Sequence, residues 1–238
     1  LVARIGGDEF AVLMQRPKVG DDAPTLAQRL ITHLSAPMEV QGRRLHIGAS
    51  VGITLCDGCG AGVDELLVQA DTALYAAKAA GRGQFVVYSP QLGERTKRRL
   101  ALEDGLRTAI ERGELALHWQ PKVDIQTWRI CGAEALMRWN HPELGRNGPG
   151  EFIALAEQCG LIDELGHWAL REACRAAAGP LAGLTVSVNV SPLQWRDGQF
   201  VRQVRDAVRE FGLDPTHLEL EITESVFMDD ADGALAQL

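Results

Sequence analysis

The chain has 238 residues, of which 46% are hydrophobic and 24% charged, a composition typical of one or two globular domains. Its net charge of −8 argues against a broad affinity for nucleic acid or anionic membranes, although local basic groups can still bind phosphates. No apolar run reaches the roughly 20 residues of a membrane helix, and no signal peptide is visible. Because Leu1 lies inside a strand pattern, we expect the chain to be a piece of a longer protein.

The cysteines are odd in number and scattered, which does not predict a disulfide framework and fits a reducing cytoplasm. They are Cys56, Cys59, Cys131, Cys159 and Cys174. Cys56 and Cys59 have the spacing of zinc ligands, but a structural zinc site needs four ligands and no second pair follows. A turn on Asp57-Gly58 is the favoured interpretation. We expect a cytoplasmic location, with a membrane tether in another part of the protein left open.

The first ninety residues predict a mixed α and β domain. Apolar runs at 1–5 and 10–14 flank Gly6 and Gly7, which predicts a β-hairpin with a glycine turn. Apolar residues at helical spacing predict helices at 24–34 and 63–80. Strands are predicted at 38–40, 45–55 and 84–88, and together they would supply one sheet.

The second half of the chain changes character. A polar segment at 89–97 without alternation predicts a boundary, and an amphipathic helix is predicted at 97–112. Strands are then predicted at 115–121, 131–139, 184–191 and 218–223, and helices at 151–159, 161–177, 199–211 and from 230 onward. This alternation favours a βα barrel or an open parallel sheet. We therefore predict a domain at 1–90, a linker and connecting helix at 91–112, and a domain at 113–238.

Two clusters of charged residues in the first domain could bind ions. Asp8 and Glu9 directly follow the glycine turn, where carboxylates can hold Mg²⁺ and bare amides can approach a phosphate. Lys78 and Arg82 lie four residues apart at the end of the second helix, so they can point the same way. These two cations could bind phosphate, or they could simply favour the negative end of the helix dipole.

The stretch Gly6-Gly7-Asp8-Glu9-Phe10 carries the motif of the GGDEF family, and the segments at 50–53 and 70–83 follow in the family's order. The first domain therefore resembles diguanylate cyclases, which join two GTP molecules into cyclic di-GMP. The fold implied is the C-terminal part of the cyclase-like α+β domain. The family's other metal and guanine ligands lie upstream of this hairpin, so we expect no synthesis from this stretch alone.

The GGDEF resemblance implies roles for individual residues. Asp8 would be a catalytic metal ligand, for Mg²⁺ or Mn²⁺, with Glu9 as its catalytic partner. Gly7 would make room for a phosphate. Lys78 and Arg82 would hold the GTP triphosphate.

Polar residues share one face of three predicted strands in the second half. These faces carry Glu134, Leu136 and Arg138; Thr185, Ser187, Asn189 and Ser191; and Glu219, Glu221 and Thr223. In a barrel the apolar faces lie under helices, and active sites form at the C-terminal strand ends. Glu134, Asn189 and Glu221 would converge there as oxygen ligands for Mg²⁺ or Mn²⁺ rather than zinc. The alternative is a half-buried polar strand face without a ligand.

Five sequence blocks from about 98 to 238 occur in the order and spacing of the EAL family. They are Trp119-Gln120-Pro121, Glu134-Ala135-Leu136 with Arg138-Trp139, Glu151-Phe152-Ile153 with Ala156-Glu157, Asn189-Val190-Ser191 with Gln194, and Glu221-Ile222-Thr223-Glu224. The second half thus resembles cyclic di-GMP phosphodiesterases. The fold class implied for the chain is α/β, a partial GGDEF domain followed by the N-terminal half of a TIM-like βα barrel.

The EAL resemblance implies two-metal hydrolysis of one phosphodiester bond to linear pGpG. Glu134, Asn189 and Glu221 would be metal ligands, with Glu134 also catalytic. Gln120, Pro121, Leu136 and Arg138 would contact cyclic di-GMP, Arg138 on a phosphate, and Glu224 would support the metal site. The family's remaining catalytic groups lie beyond Leu238, so we expect the chain to be inactive by itself.

The leading hypothesis is a tandem GGDEF–EAL protein that hydrolyses cyclic di-GMP, with synthesis as a second activity left open. A non-catalytic module that binds GTP or cyclic di-GMP is the alternative, and an incidental gene fragment is a third. The expected partners are cyclic di-GMP, GTP, a second copy of the chain and an upstream sensor domain, but not nucleic acid.

Overall fold

A computed structural model describes residues 1–15, 22–56, 62–195 and 199–222. The chain divides into two compact units, Leu1–Arg99 and Leu100–Leu238. Five features predicted from the sequence lie outside the described residues: the turn on Asp57-Gly58, the thiol of Cys59, Thr223 of the predicted polar face, the supporting residue Glu224 and the helix from 230 onward. In the described part of the chain, no helix combines the length and apolar character needed to cross a membrane.

The first unit contains six strands and two complete helices among its described residues. They are β1 (Val2–Gly6), β2 (Glu9–Val12), α1 (Ala23–Leu34), β3 (Met38–Val40), β4 (Arg43–Leu45), β5 (Val51–Ile53), α2 (Val63–Ala79) and β6 (Phe85–Val87). The hairpin predicted around the glycines is confirmed, because β1 and β2 pair antiparallel. Both predicted helices are also present.

The prediction of one strand at 45–55 is wrong. β4 pairs antiparallel with β3, whereas β5 pairs in parallel with β6, so the alternating stretch belongs to two strands with different partners. The described strands of this unit therefore form three separate pairs rather than the single predicted sheet. Period-2 alternation identifies a strand face but does not identify the neighbouring strand.

Helix α2 lies directly against β5 because the residues between them are small. A Cβ atom added to Gly52 would come within 2.0 Å of the carbonyl oxygen of Ala70 and 2.4 Å of the amide nitrogen of Leu74. Ala73 and Ala77 of the helix are fully buried. Glycine on the strand thus allows a close backbone approach that any larger residue would prevent.

Helix α3 (Pro90–Leu106) already begins within the polar segment at 89–97, whereas the sequence predicted its start at 97. The hydroxyl oxygen of Ser89 accepts a hydrogen bond from the amide of Leu92 at 3.2 Å, and proline occupies the first helical position. Serine as the N-cap followed by proline is a strong helix start. The helix therefore begins despite the lack of a clear apolar stripe at 89–97.

The second unit has one five-stranded sheet with helices on one face. Its elements after α3 are β7 (Leu115–Val123), β8 (Ile130–His141), β9 (Gly145–Asn147), α4 (Pro149–Cys159), α5 (Ile162–Ala177), β10 (Thr185–Val190), α6 (Gln199–Glu210) and β11 (Leu218–Ile222). The strand order is β11-β10-β8-β7, with β9 paired to β8. β8, β10 and β11 run parallel, as a βα barrel requires.

The first strand pair departs from the predicted alternation, because β7 and β8 are antiparallel. Only six residues separate Val123 from Ile130, too few for the crossover that parallel strands need. Asp124 closes this turn by accepting hydrogen bonds from the amides of Gln126 and Thr127. The barrel-like sheet therefore begins with a hairpin.

The helices cover the apolar strand faces, as the alternation predicts. One core cluster packs Ala135, Val186 and Val188 of the sheet against α5 and α6. A second packs Trp139 against α3, α4 and α5, with Phe152 as a large buried neighbour. The opposite, polar face of the sheet is thereby left for the candidate site.

Candidate functional site

Strand pairing arranges the polar side chains of the second unit in rows. Gln120, Glu134, Ser187 and Glu219 are successive neighbours in register from β7 to β11. One row nearer the C-terminal ends of the parallel strands, Asn189 pairs with Glu221. The three predicted metal ligands therefore lie on one face, in adjacent rows of adjacent strands.

Glu134 and Asn189 are in direct contact. The side-chain amide of Asn189 donates a hydrogen bond from Nδ2 to Oε1 of Glu134 at 2.7 Å. Within the described residues, this leaves Oδ1 of Asn189 and Oε2 of Glu134 without a protein partner. Asn189 is exposed and Glu134 is half-buried, so both oxygens are accessible to a bound cation.

Residues from two of the five sequence blocks described above bind the chain just after Asn189. The hydroxyl of Ser191 donates to Oε1 of Glu157 on α4 at 2.7 Å. The amide of Ser191 donates to Oε1 of Gln194, which is itself buried. These bonds fix the end of β10 against the helical layer and so position Asn189.

Glu221, the third predicted ligand, is bound to a residue that the sequence patterns did not single out. Nζ of Lys122 donates to Oε1 of Glu221 at 2.6 Å and to Oε2 of Glu219 at 3.0 Å. It also donates to the hydroxyl oxygen of Ser187, which donates in turn to Oε2 of Glu219 at 2.7 Å. Lys122, Ser187, Glu219 and Glu221 form one cluster, called the Lys122 cluster below.

Hydrogen bonding stabilises the charged forms in the Lys122 cluster. The bond to Glu221 is the main cause that raises the pKa of Lys122. The bonds from Ser187 and then from Lys122 lower the pKa of Glu219. The charged side chains are only partly shielded from water, with exposed fractions of 35% for Lys122, 53% for Glu219 and 33% for Glu221.

The donor atoms of the site suit a hard divalent cation. Glu134, Glu219 and Glu221 carry three negative charges, and Lys122 neutralises one, which leaves two. Carboxylate and amide oxygens are ligands that Mg²⁺ and Mn²⁺ prefer. No group of three His, Cys, Asp or Glu residues in the described ranges is close enough to hold a metal ion.

The predicted substrate contacts lie on β7 and β8 beside these ligands. Gln120 and Pro121 are exposed, whereas Leu136 and Arg138 are half-buried. Nη1 of Arg138 donates to the carbonyl oxygen of Met137 at 2.9 Å, and the guanidinium makes no ion pair within the described residues. Its remaining donors can therefore bind an anionic group.

The first unit brings the glycine hairpin and the end of α2 together. Oε1 of Glu9 lies 3.9 Å from Nζ of Lys78. Gly7 has a φ of +49°, and its carbonyl oxygen accepts hydrogen bonds from Nε and Nη2 of Arg4. Asp8 is exposed at the tip of the hairpin.

The prediction that Lys78 and Arg82 share a helix face is wrong. The helix ends at Ala79, and Arg82 lies beyond it with a φ of +59°. The amide of Gly81 donates to the carbonyl of Lys78, and the amide of Arg82 donates to that of Ala77, which is the Schellman pattern. If Lys78 and Arg82 bind the same anion, the turn after the helix must bring them close, because helical spacing does not.

Sequence signals for the Lys122 cluster were present but ambiguous. Lys122 lies two residues after Gln120 and so shares its strand face. Ser187 and Glu219 were correctly assigned to the polar face, but without a role. A strand lysine is usually solvated, and only the hydrogen bonds in the structure show that its ammonium reaches β10 and β11.

Comparisons with known proteins match both halves of the chain. A family model described as EAL domain matches residues 103–238. A second, described as diguanylate cyclase, GGDEF domain, matches residues 1–84.

Three curated relatives match across almost the whole chain. The "Bifunctional diguanylate cyclase/cyclic di-GMP phosphodiesterase MucR" of Pseudomonas aeruginosa is 41% identical over 241 residues, 100% of this chain and 35% of the relative. "Cyclic di-GMP phosphodiesterase NbdA" of the same species is 39% identical over 100% of this chain and 31% of the relative. "Cyclic di-GMP phosphodiesterase PdeR" of Escherichia coli is 35% identical over 99% and 36%. The chain thus spans about a third of the length of these relatives.

Solved structures with the same fold contain cyclic di-GMP. "PaMucR Phosphodiesterase, c-di-GMP complex" is 45% identical with a TM-score of 0.56, over 58% of this chain and 57% of that one. The EAL enzyme Bd1971 in its "cAMP and cyclic-di-GMP bound form" is 25% identical with a TM-score of 0.55, over 75% and 48%.

Proposed function

Because the chain belongs to the EAL domain family and begins with a GGDEF-domain segment, we propose that the whole protein hydrolyses cyclic di-GMP to linear pGpG. The observation that carries this proposal is the contact between Glu134 and Asn189, with Glu221 next to Asn189 in register. The names of the relatives support the same reaction.

Each residue of the second-unit site has a proposed part in hydrolysis. Mg²⁺ or Mn²⁺ held by Glu134, Asn189 and Glu221 would supply water activation and charge neutralisation when bound. Asn189 presents Oδ1 to this position because its Nδ2 is already bound to Glu134. Glu224 stays a proposed supporting residue.

Substrate binding is assigned to the neighbouring face of β7 and β8. The guanidinium of Arg138 would pair with a phosphate of cyclic di-GMP, since a planar guanidinium can donate two parallel hydrogen bonds. Gln120, Pro121 and Leu136 would contact the rest of the dinucleotide. Gln120, Leu136 and Arg138 lie on the polar face with exposed or half-buried side chains, which supports this arrangement. Pro121 is exposed too, but it alternates to the other face and pairs with Ala133.

The test is a Glu134→Gln variant of the full-length protein with Mg²⁺ and cyclic di-GMP. We expect pGpG formation, followed by chromatography, to fall at least about hundredfold, because a metal-binding carboxylate becomes a weaker amide ligand. Glu143→Gln is the matched control, since Glu143 is exposed in the turn between β8 and β9. Unchanged turnover in Glu134→Gln would contradict the assignment.

The proximity of Glu9 and Lys78 favours a second proposed function, binding of GTP at the first unit with synthesis of cyclic di-GMP. Joining two GTP molecules requires two such sites, which we infer meet in a homodimer. Asp8→Asn is expected to abolish formation of cyclic di-GMP from GTP by the full-length protein. If the unmutated protein forms none, and GTP instead changes its rate of pGpG formation, the first unit is a regulatory module.

The wider setting of the two sites is also a proposal. The relatives are about three times longer than this chain, which leaves room for a sensor domain elsewhere in the protein. The cysteines of the described residues are all free, which supports activity in the reducing cytoplasm. The net charge of −8 argues against nucleic acid as a partner.

A further inference from the structure

The side chain of Lys122 reaches across the sheet into the second-unit site. Lys122 lies on β7, yet its ammonium contacts residues on β10 and β11. The residue paired with it on β8 is Gly132, which has no side chain to block this path. The ammonium therefore lies on the polar face beneath the row that contains Asn189 and Glu221.

This ammonium separates two carboxylates that would otherwise repel each other. Glu219 and Glu221 alternate onto the same face of β11, and each accepts a hydrogen bond from Nζ. Glu134 adds a third carboxylate from β8, the strand that lies between β7 and β10 in the sheet. The fully buried hydroxyl of Ser187 completes the cluster by binding both Lys122 and Glu219.

The same contacts put Lys122 in competition with a metal ion. Oε1 of Glu221, an atom of a proposed ligand, is bound to the ammonium at 2.6 Å. An incoming divalent ion must share Glu221 with this cation or displace it, and it meets a positive charge in either case. Without Lys122 the three carboxylates would attract a divalent ion more strongly, but they would also repel one another more strongly when no ion is bound.

We propose that Lys122 is a built-in counter-ion that holds the second-unit site together without metal and lowers the affinity of that site for divalent cations. This inference rests on the proposed metal site of Glu134, Asn189 and Glu221. It assigns Lys122 a tuning role that is separate from ligand binding. If Lys122 only held the strands together, its replacement would lower the stability of the protein equally with and without metal. The replacement would then not tighten metal binding.

The experiment measures Mn²⁺ binding by the full-length protein from the electron paramagnetic resonance signal of free Mn²⁺. The Glu134→Gln variant defines binding at all other sites. Lys122→Met removes the charge and keeps an unbranched stem. We expect it to bind Mn²⁺ about tenfold more tightly at the second-unit site, the effect of one unit charge on a divalent ion across about 6 Å of water.

Three further variants separate charge from packing. Lys122→Arg keeps the charge and should bind Mn²⁺ like the unmutated protein. Glu219→Gln removes one carboxylate and should bind Mn²⁺ about tenfold more weakly, a shift of opposite sign that does not depend on the folding of Lys122→Met. The double variant Lys122→Met/Glu219→Gln restores the original local charge and should return close to the original affinity.

Thermal unfolding supplies a readout that does not depend on activity. In EDTA, Lys122→Met should unfold at a lower temperature than the unmutated protein, and added Mn²⁺ should stabilise it by a larger margin. Equal Mn²⁺ affinity in the unmutated protein, Lys122→Met and Glu219→Gln would overturn the inference. Equal Mn²⁺ binding by the unmutated protein and Glu134→Gln would instead refute the proposed metal site.

Discussion

The hydrogen bond between Glu114 and Trp139 allows a quantitative test of the second unit. Oε2 of Glu114 accepts from Nε1 of Trp139 at 3.0 Å, and the indole is fully buried. The backbone carbonyl of Glu114 also accepts from the amide of Asn140. These bonds join the start of β7 to the end of β8, the strand that carries Glu134 and Arg138.

Replacing Glu114 with alanine removes the acceptor and leaves the buried indole N–H unpaired. Such an unpaired group costs about 1–3 kcal/mol, and Glu114 itself is only 9% exposed, so we take about 2 kcal/mol. For a protein of this size, that corresponds to a fall in Tm of about 4–8 °C. Glu114→Gln keeps an oxygen acceptor and should lose less than about 1 kcal/mol.

Tryptophan fluorescence gives the assay for this one unit, because the five tryptophans all lie between residues 119 and 195. Thermal and urea unfolding of both variants would be followed by this signal. The predicted role of the hydrogen bond would be refuted if Glu114→Ala lay within about 0.5 kcal/mol of the unmutated protein, the usual range of neutral surface changes. Equal destabilisation by glutamine and alanine would assign the effect to the charge of Glu114 rather than to its hydrogen bond.

Two further predictions concern the first unit and a buried thiol. Gly52→Ala should destabilise the first unit by about 3 kcal/mol, since a Cβ would meet the backbone of α2. Faster hydrogen exchange in β5 and α2 would show this, whereas Gly48→Ala, with no atom within 4 Å of its Cβ, should have no effect. Burial raises the pKa of Cys174 to about 11 from 9.0, so the folded state keeps this proton longer than the unfolded state. The contribution of this thiol to the free energy of unfolding is therefore fully present below pH 9.0 and is lost as the pH rises towards about 11. Cys174→Ala should reduce that decline in urea midpoints, and an identical decline would count against the burial effect.

Most secondary-structure elements of the described residues were predictable from local patterns. The helices α1, α2, α4, α5 and α6 follow the spacing of their apolar residues, and the strand faces of β8, β10 and β11 follow strict alternation. Alternation alone also assigns Glu134, Asn189 and Glu221 to the polar faces of their strands, and the strand pairing agrees. These features depend on residues close together in sequence, so a local pattern is sufficient to reveal them.

The sequence predictions were wrong where strand pairing depends on residues distant in sequence, and where the end of a helix depends on a single residue. The stretch at 45–55 alternates throughout, but its two ends pair with different strands. Helix α3 begins at Pro90 because of one serine cap, and Arg82 leaves the helix because of one glycine turn. Periodicity over several residues is insensitive to such single positions.

The family, the order of the two units and the polar strand faces can all be read from the amino-acid order, because motifs and period-2 alternation involve only residues close together along the chain. The antiparallel pairing of β7 with β8 and the contacts of Lys122 with Glu219 and Glu221 become visible only once the chain is folded. Alternation assigns a side chain to a face of the sheet, whereas the partner of that side chain depends on the order of the strands and on how far the side chain extends. Lysine, with a long flexible stem, can bind a carboxylate two strands beyond its nearest neighbour, and no spacing rule along the chain encodes that distance.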